Sequence, residues 1–233
     1  MDDWIDYYDS THTIYASKRH RDLHFELIAR DIMSYVTARD QVVLDYACGE
    51  ALSAGKVAEV CGQLILAEPA PGVRGRLIAR FAPYTKIRVR SLEDVRKMPE
   101  NSVDLVVMNS VTQYMTEAEL DTALAVIRRV LRPSGRLVLG DVLRPEVGML
   151  RDVYALLCFG AQHGFLKDAL WGLAATAVSD YRQLRTRVGL TRYGEADLIQ
   201  KLARAGFSAA RVGQNIGHNP WRMTFVAHHA LAR

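Results

Sequence analysis

The sequence predicts an α/β domain built on a mostly parallel sheet. The run Val42-Val43-Leu44 is typical of a strand buried on both faces, and a small-residue loop and a helical pattern over 52–61 follow it. Short apolar strands and amphipathic helices then alternate as far as residue 142, and two strands close the chain. A length of 233 residues suits one decorated domain rather than two.

Composition excludes several classes of protein. The net charge is only +4, without a run of five or six like charges, so we expect no nucleic-acid partner. The three cysteines are odd in number and lack metal-ligand spacing, which favours a reducing cytoplasm and no metal site. No apolar segment resembles a signal peptide or reaches spanning length, so we expect no stable membrane insertion.

The N-terminal part is predicted to lie over the core. Residues 1–19 are polar and aromatic, which suggests a helix or flap, and 20–36 have helical apolar spacing. The densest basic patch, 18–21, stands at the start of this helix. A ligand carboxylate would explain the patch, and a solvated surface run is the alternative.

The loop after the first strand predicts a nucleotide site. In a strand–loop–helix unit, the nucleotide sits at the carboxyl end of the strand, where small residues admit close backbone contact. A dinucleotide fingerprint would need glycine at 47, 49 and 52, and only Gly49 is present. Asp45, at the strand end, can accept hydrogen bonds from a cationic or hydroxyl-bearing ligand.

The end of the second strand supplies another acidic residue. The strand at 62–67 is followed by Glu68, about 20 positions beyond the first loop, where a carboxylate accepts both ribose hydroxyls of a nucleotide. The alternative is an acid stabilised by the dipole of the next helix. The spacing from Asp45 favours ribose binding.

Polar residues also follow the fourth strand. Strands are predicted at 86–89, 103–108 and 136–142, and a helix at 117–131. Asn109, Gln113 and Tyr114 emerge from the apolar fourth strand, at the edge where a substrate could sit. Helix capping and surface hydrogen bonding are their alternative roles.

Four elements of the chain resemble those of one enzyme family. The stretch LDYACGEA (44–51) resembles motif I of the class I S-adenosylmethionine-dependent methyltransferases, with Ala47 and Ala51 in place of two of its glycines. Glu68 matches motif II, residues 109–114 resemble motif IV, and LRPSGRLVLGDV (131–142) resembles the element around the fifth strand. These four elements occur in the family's order and spacing. The chain resembles the members of this family that methylate small molecules.

The resemblance implies a Rossmann-like sheet of seven strands in the order 3-2-1-4-5-7-6, with an antiparallel last strand. It implies a single domain, which we divide into an N-terminal flap and helix (1–40), a cofactor-binding core (41–144), a helical cap inserted after strand five (145–192) and a C-terminal helix and hairpin (193–233). The cap is rich in large apolar residues. It predicts a hydrophobic substrate pocket, a homodimer contact or a surface contact with membrane.

The resemblance also implies S-adenosylmethionine as cofactor and S-adenosylhomocysteine (SAH) as product. Asp45 would orient the amino group, Glu68 would hold the ribose, and Arg19 or His20 could meet the carboxylate. Glu93 or Asp94 would accept from the adenine amino group, although this segment also looks like a helix cap. The predicted cofactor-binding residues are Arg19, Asp45, Ala47, Cys48, Gly49, Glu50, Glu68, Pro69, Leu92, Glu93, Asn109 and Ser110.

The implied reaction is methyl transfer to a small, hydrophobic or aromatic O- or N-nucleophile. The candidate bases are His20, Tyr114 and His163, and the sequence does not choose among them. Tyr15, Gln113 and Tyr114 are predicted to contact the substrate. Two other classes stay open: a catalytically silent S-adenosylmethionine-binding accessory protein, and an NAD-dependent oxidoreductase, which Leu52 and the closing hairpin disfavour.

Overall fold

The protein is described from a computed structural model, which covers Ile5, Asp9, 15–176 and 190–230. Its sheet consists of β1 (Val42–Tyr46), β2 (Gln63–Ala67), β3 (Ile87–Arg90), β4 (Val103–Asn109), β5 (Leu131–Val142), β6 (Phe207–Val212) and β7 (Met223–His229). The helices of the described ranges are α1 (Lys18–Met33), α2 (Ala54–Val60), α3 (Pro71–Phe81), α4 (Leu92–Arg96), α5 (Glu117–Val130), α6 (Met149–His163), α7 (Leu166–Thr176) and α8 (Glu195–Arg204).

The strand order is β3-β2-β1-β4-β5-β7-β6. The first five strands are parallel, and β7 runs antiparallel to both of its neighbours, β5 and β6. The predicted fold class and strand order are therefore confirmed. Because the carboxyl ends of parallel strands share one edge, the residues that end β1, β2, β4 and β5 lie at that edge.

Alternation along the strands builds a core on each face of the sheet. Leu44 packs into the apolar cluster that contains Leu124 of α5 and Leu202 of α8. Its neighbour Val43 packs into the opposite cluster, with residues of α1, α2 and α3. Successive strand side chains point to opposite faces, so a strand covered on both faces must be apolar throughout.

Several predicted boundaries were wrong, and α1 ends at Met33 rather than at residue 36. Helix α1 begins at Lys18 rather than residue 20, because the Ser17 hydroxyl accepts the His20 N–H (3.3 Å) and caps the helix there. Strand β5 begins at Leu131 rather than at the predicted residue 136. Val103 pairs with Leu131 and Leu105 with Arg136, so 132–135 bulge out of the ladder without ending the strand.

Helices α6 and α7 follow β5, as predicted for the cap. Phe159, Phe165 and Ala169 form a small core there against leucines of α1. Gly164 ends α6 at a φ of 76°, a left-handed conformation that glycine adopts readily. The rest of the predicted cap, 177–189, lies outside the described residues.

The outer surface of α6 and α7 carries large apolar side chains, namely Met149, Leu150, Tyr154, Leu170 and Trp171. The homodimer through this surface stays a prediction.

None of the described helices is both long and apolar enough to cross a membrane. Most of the predicted flap, 1–19, also lies outside the described residues, but the Asp9 carboxylate accepts the Val73 N–H (3.0 Å) near the start of α3.

Candidate active site

A cavity of about 660 Å³ opens at the carboxyl edge of the sheet. Its walls are the loop after β1, helix α1, the ends of β2, β4 and β5, helix α6 and the loop between β6 and β7. Twelve residues predicted to have a site role line it: Tyr15, His20, Asp45, Ala47, Cys48, Gly49, Glu50, Glu68, Asn109, Ser110, Gln113 and Tyr114. This edge is where α/β sheets bind ligands.

The loop after β1 has the backbone geometry of a glycine-rich loop. Ala47, Gly49 and Ala51 have φ values of 59°, 58° and 40°. A left-handed conformation costs a non-glycine residue about 1–2 kcal/mol. The two alanines therefore adopt the conformation that glycine would take without strain.

We expect Ala47→Gly to raise the free energy of unfolding by about 0.5–1 kcal/mol, because glycine removes the left-handed strain. Gly49→Ala should lower it by a similar amount, since a Cβ there meets no atom within 4 Å and only the backbone is strained. Urea titration of both variants measures the two changes. Equal stability of both variants would contradict the strained loop.

The Glu68 carboxylate fixes this loop through a hydrogen bond to its backbone. Its carboxylate is 4% exposed and accepts the Gly49 N–H (2.8 Å) and the Ala70 N–H (2.9 Å), one on each oxygen. Burial raises its pKa, which these two hydrogen bonds oppose. Each oxygen keeps a further lone pair, so Glu68 can also accept from ligand hydroxyls.

Asp45 lines the cavity beside Glu68. Among the described residues no hydrogen bond reaches its carboxyl group. Burial, and next the charge of Glu68, raises the pKa of Asp45 to about 7. A cation in the cavity would relieve both effects.

An ion pair joins helix α1 to the outer side of the loop. Two nitrogens of the Arg21 guanidinium donate to the Glu50 carboxylate. One of them, Nε, lies 2.9 Å from Oε2. Arg80 donates to the Glu50 carbonyl (2.6 Å). The basic patch at 18–21 therefore includes one residue, Arg21, that contacts the nucleotide-type loop.

A side-chain hydrogen bond joins Ser110, which follows β4, to Asp141 near the end of β5. Ser110 and Asp141 both have a φ of 57°, and the Ser110 hydroxyl donates to Asp141 (2.8 Å). Burial raises the pKa of Asp141. A Cβ at Gly140 would lie 2.5 Å from Asn109 Oδ1, so this close packing requires glycine.

A buried ion pair ties the cap to the β6–β7 loop. The Arg222 side chain is 11% exposed, and its Nη2 lies 2.8 Å from Asp152 Oδ1 of α6. Asn219 Nδ2 donates to the same oxygen (2.8 Å). Asn215 accepts the Asp141 N–H (3.1 Å) at the foot of this loop. The loop is thus fixed at both of its ends.

Three histidines line the cavity as neutral rings. Burial lowers the pKa of His20 and His218 to about 4 and that of His24 to about 3, and the charge of His218 opposes protonation of the other two. No set of described residues has the arrangement of a metal site.

Sequence reasoning missed His24, Asp141, Asp152, His218 and Arg222, all of which line the cavity. Two of them had a readable signal. His24 follows His20 by four residues, which places both on one helix face. His218 stands in the Asn-, Gly- and Pro-rich stretch 215–220, a loop composition, and loops often carry binding residues.

Five predicted site residues do not line the cavity: Arg19, Pro69, Leu92, Glu93 and His163. Arg19 instead donates to the His163 carbonyl (2.8 Å). Glu93 is exposed and pairs with Arg96 and Lys97, while Asp94 forms a capping box with Ser91. The structure thus shows a helix cap at Ser91 and Asp94, and the adenine contact of this segment stays a prediction.

Three cavity residues keep buried polar atoms without a partner among the described residues, and these atoms are His24 Nδ1, Asn109 Oδ1 and Gln113 Oε1. A buried polar atom without a hydrogen bond costs about 1–3 kcal/mol. Such a cost concentrated around one cavity indicates a ligand site.

Residues 44–139 match the family described as the methyltransferase domain. This match and the seven-stranded sheet with its antiparallel last strand agree with the sequence motifs. The chain therefore has a Rossmann-like fold, and its residues 44–139 are similar to a methyltransferase domain. No curated protein sequence gives a significant match.

Solved structures show the same fold at low sequence identity. The chain is similar to the protein in the DhpI–SAH complex, at a TM-score of 0.62 and 12% identity, over 99% of this chain and 97% of that one. It is similar to the Haloferax volcanii complex of the Trm112 methyltransferase activator with a putative methyltransferase (TM-score 0.60, 13% identity, 90% and 92% covered). PigF with SAH is a third similar structure (TM-score 0.57, 16% identity, 86% and 53% covered).

Proposed function

We propose that this protein transfers the methyl group of S-adenosylmethionine to a small, hydrophobic or aromatic molecule with an oxygen or nitrogen nucleophile. One observation carries the proposal: a left-handed small-residue loop stands between the half-buried Asp45 and the buried Glu68, at the carboxyl ends of β1 and β2. The match of residues 44–139 to a methyltransferase domain supports it, as do the structures of similar fold with SAH.

The charges of the cavity suit a cationic ligand. Arg21 is paired with Glu50 and Arg222 with Asp152. The other charged residues of the described cavity lining are three acids and one base, namely Asp45, Glu68 and Asp141, and Arg76. This acidic excess favours a molecule with sulfonium and ammonium groups over an anionic dinucleotide.

The residues of the loop would hold the cofactor in a defined way. Asp45 would accept from the amino group, and the free lone pairs of Glu68 would accept from the ribose hydroxyls. The space beside Gly49, where a Cβ would meet no atom within 4 Å, leaves room for close approach to the backbone. Cys48 stays a neutral thiol there, because burial raises its pKa well above the ordinary value.

The bound cofactor supplies a methyl group that is already activated by its sulfonium leaving group. The chain therefore has mainly to position the acceptor, to exclude water and to take up a proton where the nucleophile carries one. Tyr15, Gln113 and Tyr114 line the same cavity as Asp45 and Glu68, and we propose that they contact the acceptor. The aromatic rings around it suit an apolar acceptor.

We propose the same division of the chain as before: a flap and helix (1–40), a cofactor-binding core (41–144), a cap (145–192) and a C-terminal helix and hairpin (193–233). The cap and hairpin would shape the acceptor pocket, since both contribute to the cavity wall. The three cysteines are all free, in keeping with a proposed cytoplasmic site of action.

Calorimetric titration of the purified protein with S-adenosylmethionine, SAH and NAD tests the proposal. We expect micromolar binding of the first two and no binding of NAD. Binding of NAD alone would overturn the proposal in favour of an oxidoreductase. Binding of S-adenosylmethionine without turnover on any hydroxyl- or amine-bearing small molecule would favour the accessory protein instead.

A further inference from the structure

Three imidazole rings meet in the cavity, two from α1 and one from the β6–β7 loop. The ring centroids of His20, His24 and His218 lie 6.2–6.3 Å from one another. All three side chains line the cavity that contains Asp45 and Glu68. The cluster therefore borders the space in which the acceptor would lie.

The hydrogen bond of His20 fixes which of its nitrogens carries the proton. Its Nδ1 accepts the Ala16 backbone N–H at 3.2 Å. A backbone N–H can only donate, so Nδ1 holds a lone pair and the neutral ring is protonated at Nε2. His20 can offer a hydrogen-bond donor to a ligand, but it cannot be the base that we predicted as one candidate.

His24 and His218 have the opposite capacity. His24 Nδ1 is buried without a partner, and no hydrogen bond from the described part of the chain reaches the His218 ring. Each neutral ring has one nitrogen lone pair, which here has no donor. In this cluster, His20 thus offers one N–H donor, and His24 and His218 each offer a nitrogen lone pair that accepts no hydrogen bond from the described residues.

Aromatic rings hold the cluster in place. His20 stacks on Phe165 at 5.0 Å, and His218 stacks on Phe159 at 4.7 Å. The loop that carries His218 is anchored where the Gly217 N–H donates to Asp31 of α1 (2.9 Å). Because its partners are rigid, His218 is preorganised and not a surface side chain that happens to point inward.

We propose that these three imidazoles recognise a hydroxyl group on an aromatic acceptor, and that His218 is the base that removes its proton. The inference deepens the proposed function and rests on it. His20 Nε2–H donates to the acceptor oxygen or to a neighbouring substituent, and His24 accepts from a second donor or from water. The aromatic rings of Tyr15 and Phe25 line the same cavity, while Phe165 and Phe159 lie behind it, stacked on His20 and His218.

The reaction balances with these groups alone. The O–H bond breaks and its proton passes to a nitrogen of His218, while a lone pair of the oxygen forms the new C–O bond. The methyl C–S bond breaks, and its electron pair stays on sulfur. The products are SAH, a methyl ether and an imidazolium, which then releases its proton to water. The positive charge moves from sulfur to His218; burial and the charge of Arg222 lower the pKa of this ring and the Asp152 carboxylate opposes them, so the imidazolium is short-lived.

Nitrogen-15 NMR of the histidine rings tests the recognition without turnover. The protein is loaded with SAH and titrated with phenol, with 2-naphthol and, as a control without a hydroxyl proton, with 2-methoxynaphthalene. We expect His20 to be protonated at Nε2, and His218 to shift with both hydroxyl compounds but not with the ether. Protonation of His20 at Nδ1, or the same His218 shift with the ether, would overturn the proposal, as would no shift with either hydroxyl compound.

A pair of histidine variants tests the base. His218→Gln should lower kcat for 2-naphthol about 100-fold, as expected for loss of a general base, with a smaller change in KM. His228→Gln is the matched control, since His228 is an exposed residue of β7 outside the cavity lining. Affinity for S-adenosylmethionine should stay within about threefold in both variants, because neither residue belongs to the cofactor loop.

The two proposals fail in different ways. If the parent protein does not bind S-adenosylmethionine, the proposed function itself is wrong. If it binds the cofactor and methylates 2-naphthol, but His218→Gln keeps the parent kcat, only the role of His218 is wrong. Turnover of amines with no binding of hydroxyl compounds would likewise overturn this inference and leave the proposed function standing.

Discussion

Glu68→Ala should lower the affinity for S-adenosylmethionine by at least about 100-fold, because the substitution removes two things at once. The ribose loses its acceptor, and the loop N–H of Gly49 loses the carboxylate that holds it at 2.8 Å. A hydrogen bond to a charged group contributes about 1.5–3 kcal/mol, so the loss of several exceeds a factor of 100. Calorimetric titration of the variant measures the change.

Two further variants separate the causes. Glu68→Gln keeps one acceptor oxygen and should fall between the parent and the alanine variant. Glu93→Ala removes an exposed carboxylate that pairs only with Arg96 and Lys97 within the described chain, and its affinity should equal that of the parent. An unchanged affinity for S-adenosylmethionine in Glu68→Ala would contradict the proposed pocket. A lower affinity in Glu93→Ala would show that Glu93 contributes to the site.

The affinity for S-adenosylmethionine should rise roughly tenfold between about pH 5.5 and about pH 7, because Asp45 changes its charge in this range. Burial and the nearby Glu68 raise the pKa of Asp45 to about 7. Below that pH the group is mostly a neutral acid, and above it a carboxylate. Only the carboxylate attracts a cation, so the bound cofactor favours proton release and binding strengthens as the pH rises.

Asp45→Asn provides the control for this pH dependence. The amide cannot ionise, so the affinity should be lower and nearly constant over the same range. The cavity histidines stay neutral there, because the pKa values of His20, His24 and His218 are about 4, 3 and 4. Titrations in two buffers of different ionisation enthalpy count the released proton. A parent affinity that does not change with pH would show that Asp45 is already ionised without ligand.

The sheet and the small-residue loop after β1 could be predicted because their signals are local. An apolar run that ends in Asp45, and a second that ends in Glu68 at the expected distance, specify two neighbouring parallel strands. The structure pairs Asp45 with Leu66, so the two carboxylates come together as the spacing implied. The alanines at 47 and 51 adopt the positive φ values that usually require glycine.

The histidine-lined side of the cavity could not be predicted because its residues come from distant parts of the chain. His24 and His218 are 194 positions apart, yet their ring centroids lie 6.2 Å from each other. The buried pair of Asp152 and Arg222 joins the cap to the hairpin in the same way. Each residue alone is an ordinary polar side chain in its own segment. Only the tertiary packing brings these residues to one cavity.

The strand order has a consequence for how the protein is made. Strand β6 leaves the ribosome before β7, yet β7 lies between β6 and the rest of the sheet. Synthesis runs from the N-terminus, so β6 must wait as an unpaired segment until β7 has been added. The loop with His218 connects these two strands. A nascent chain that stops short of β7 would thus contain the loop after β1, while the β6–β7 loop of the cavity wall would lack the strand pairing that positions it.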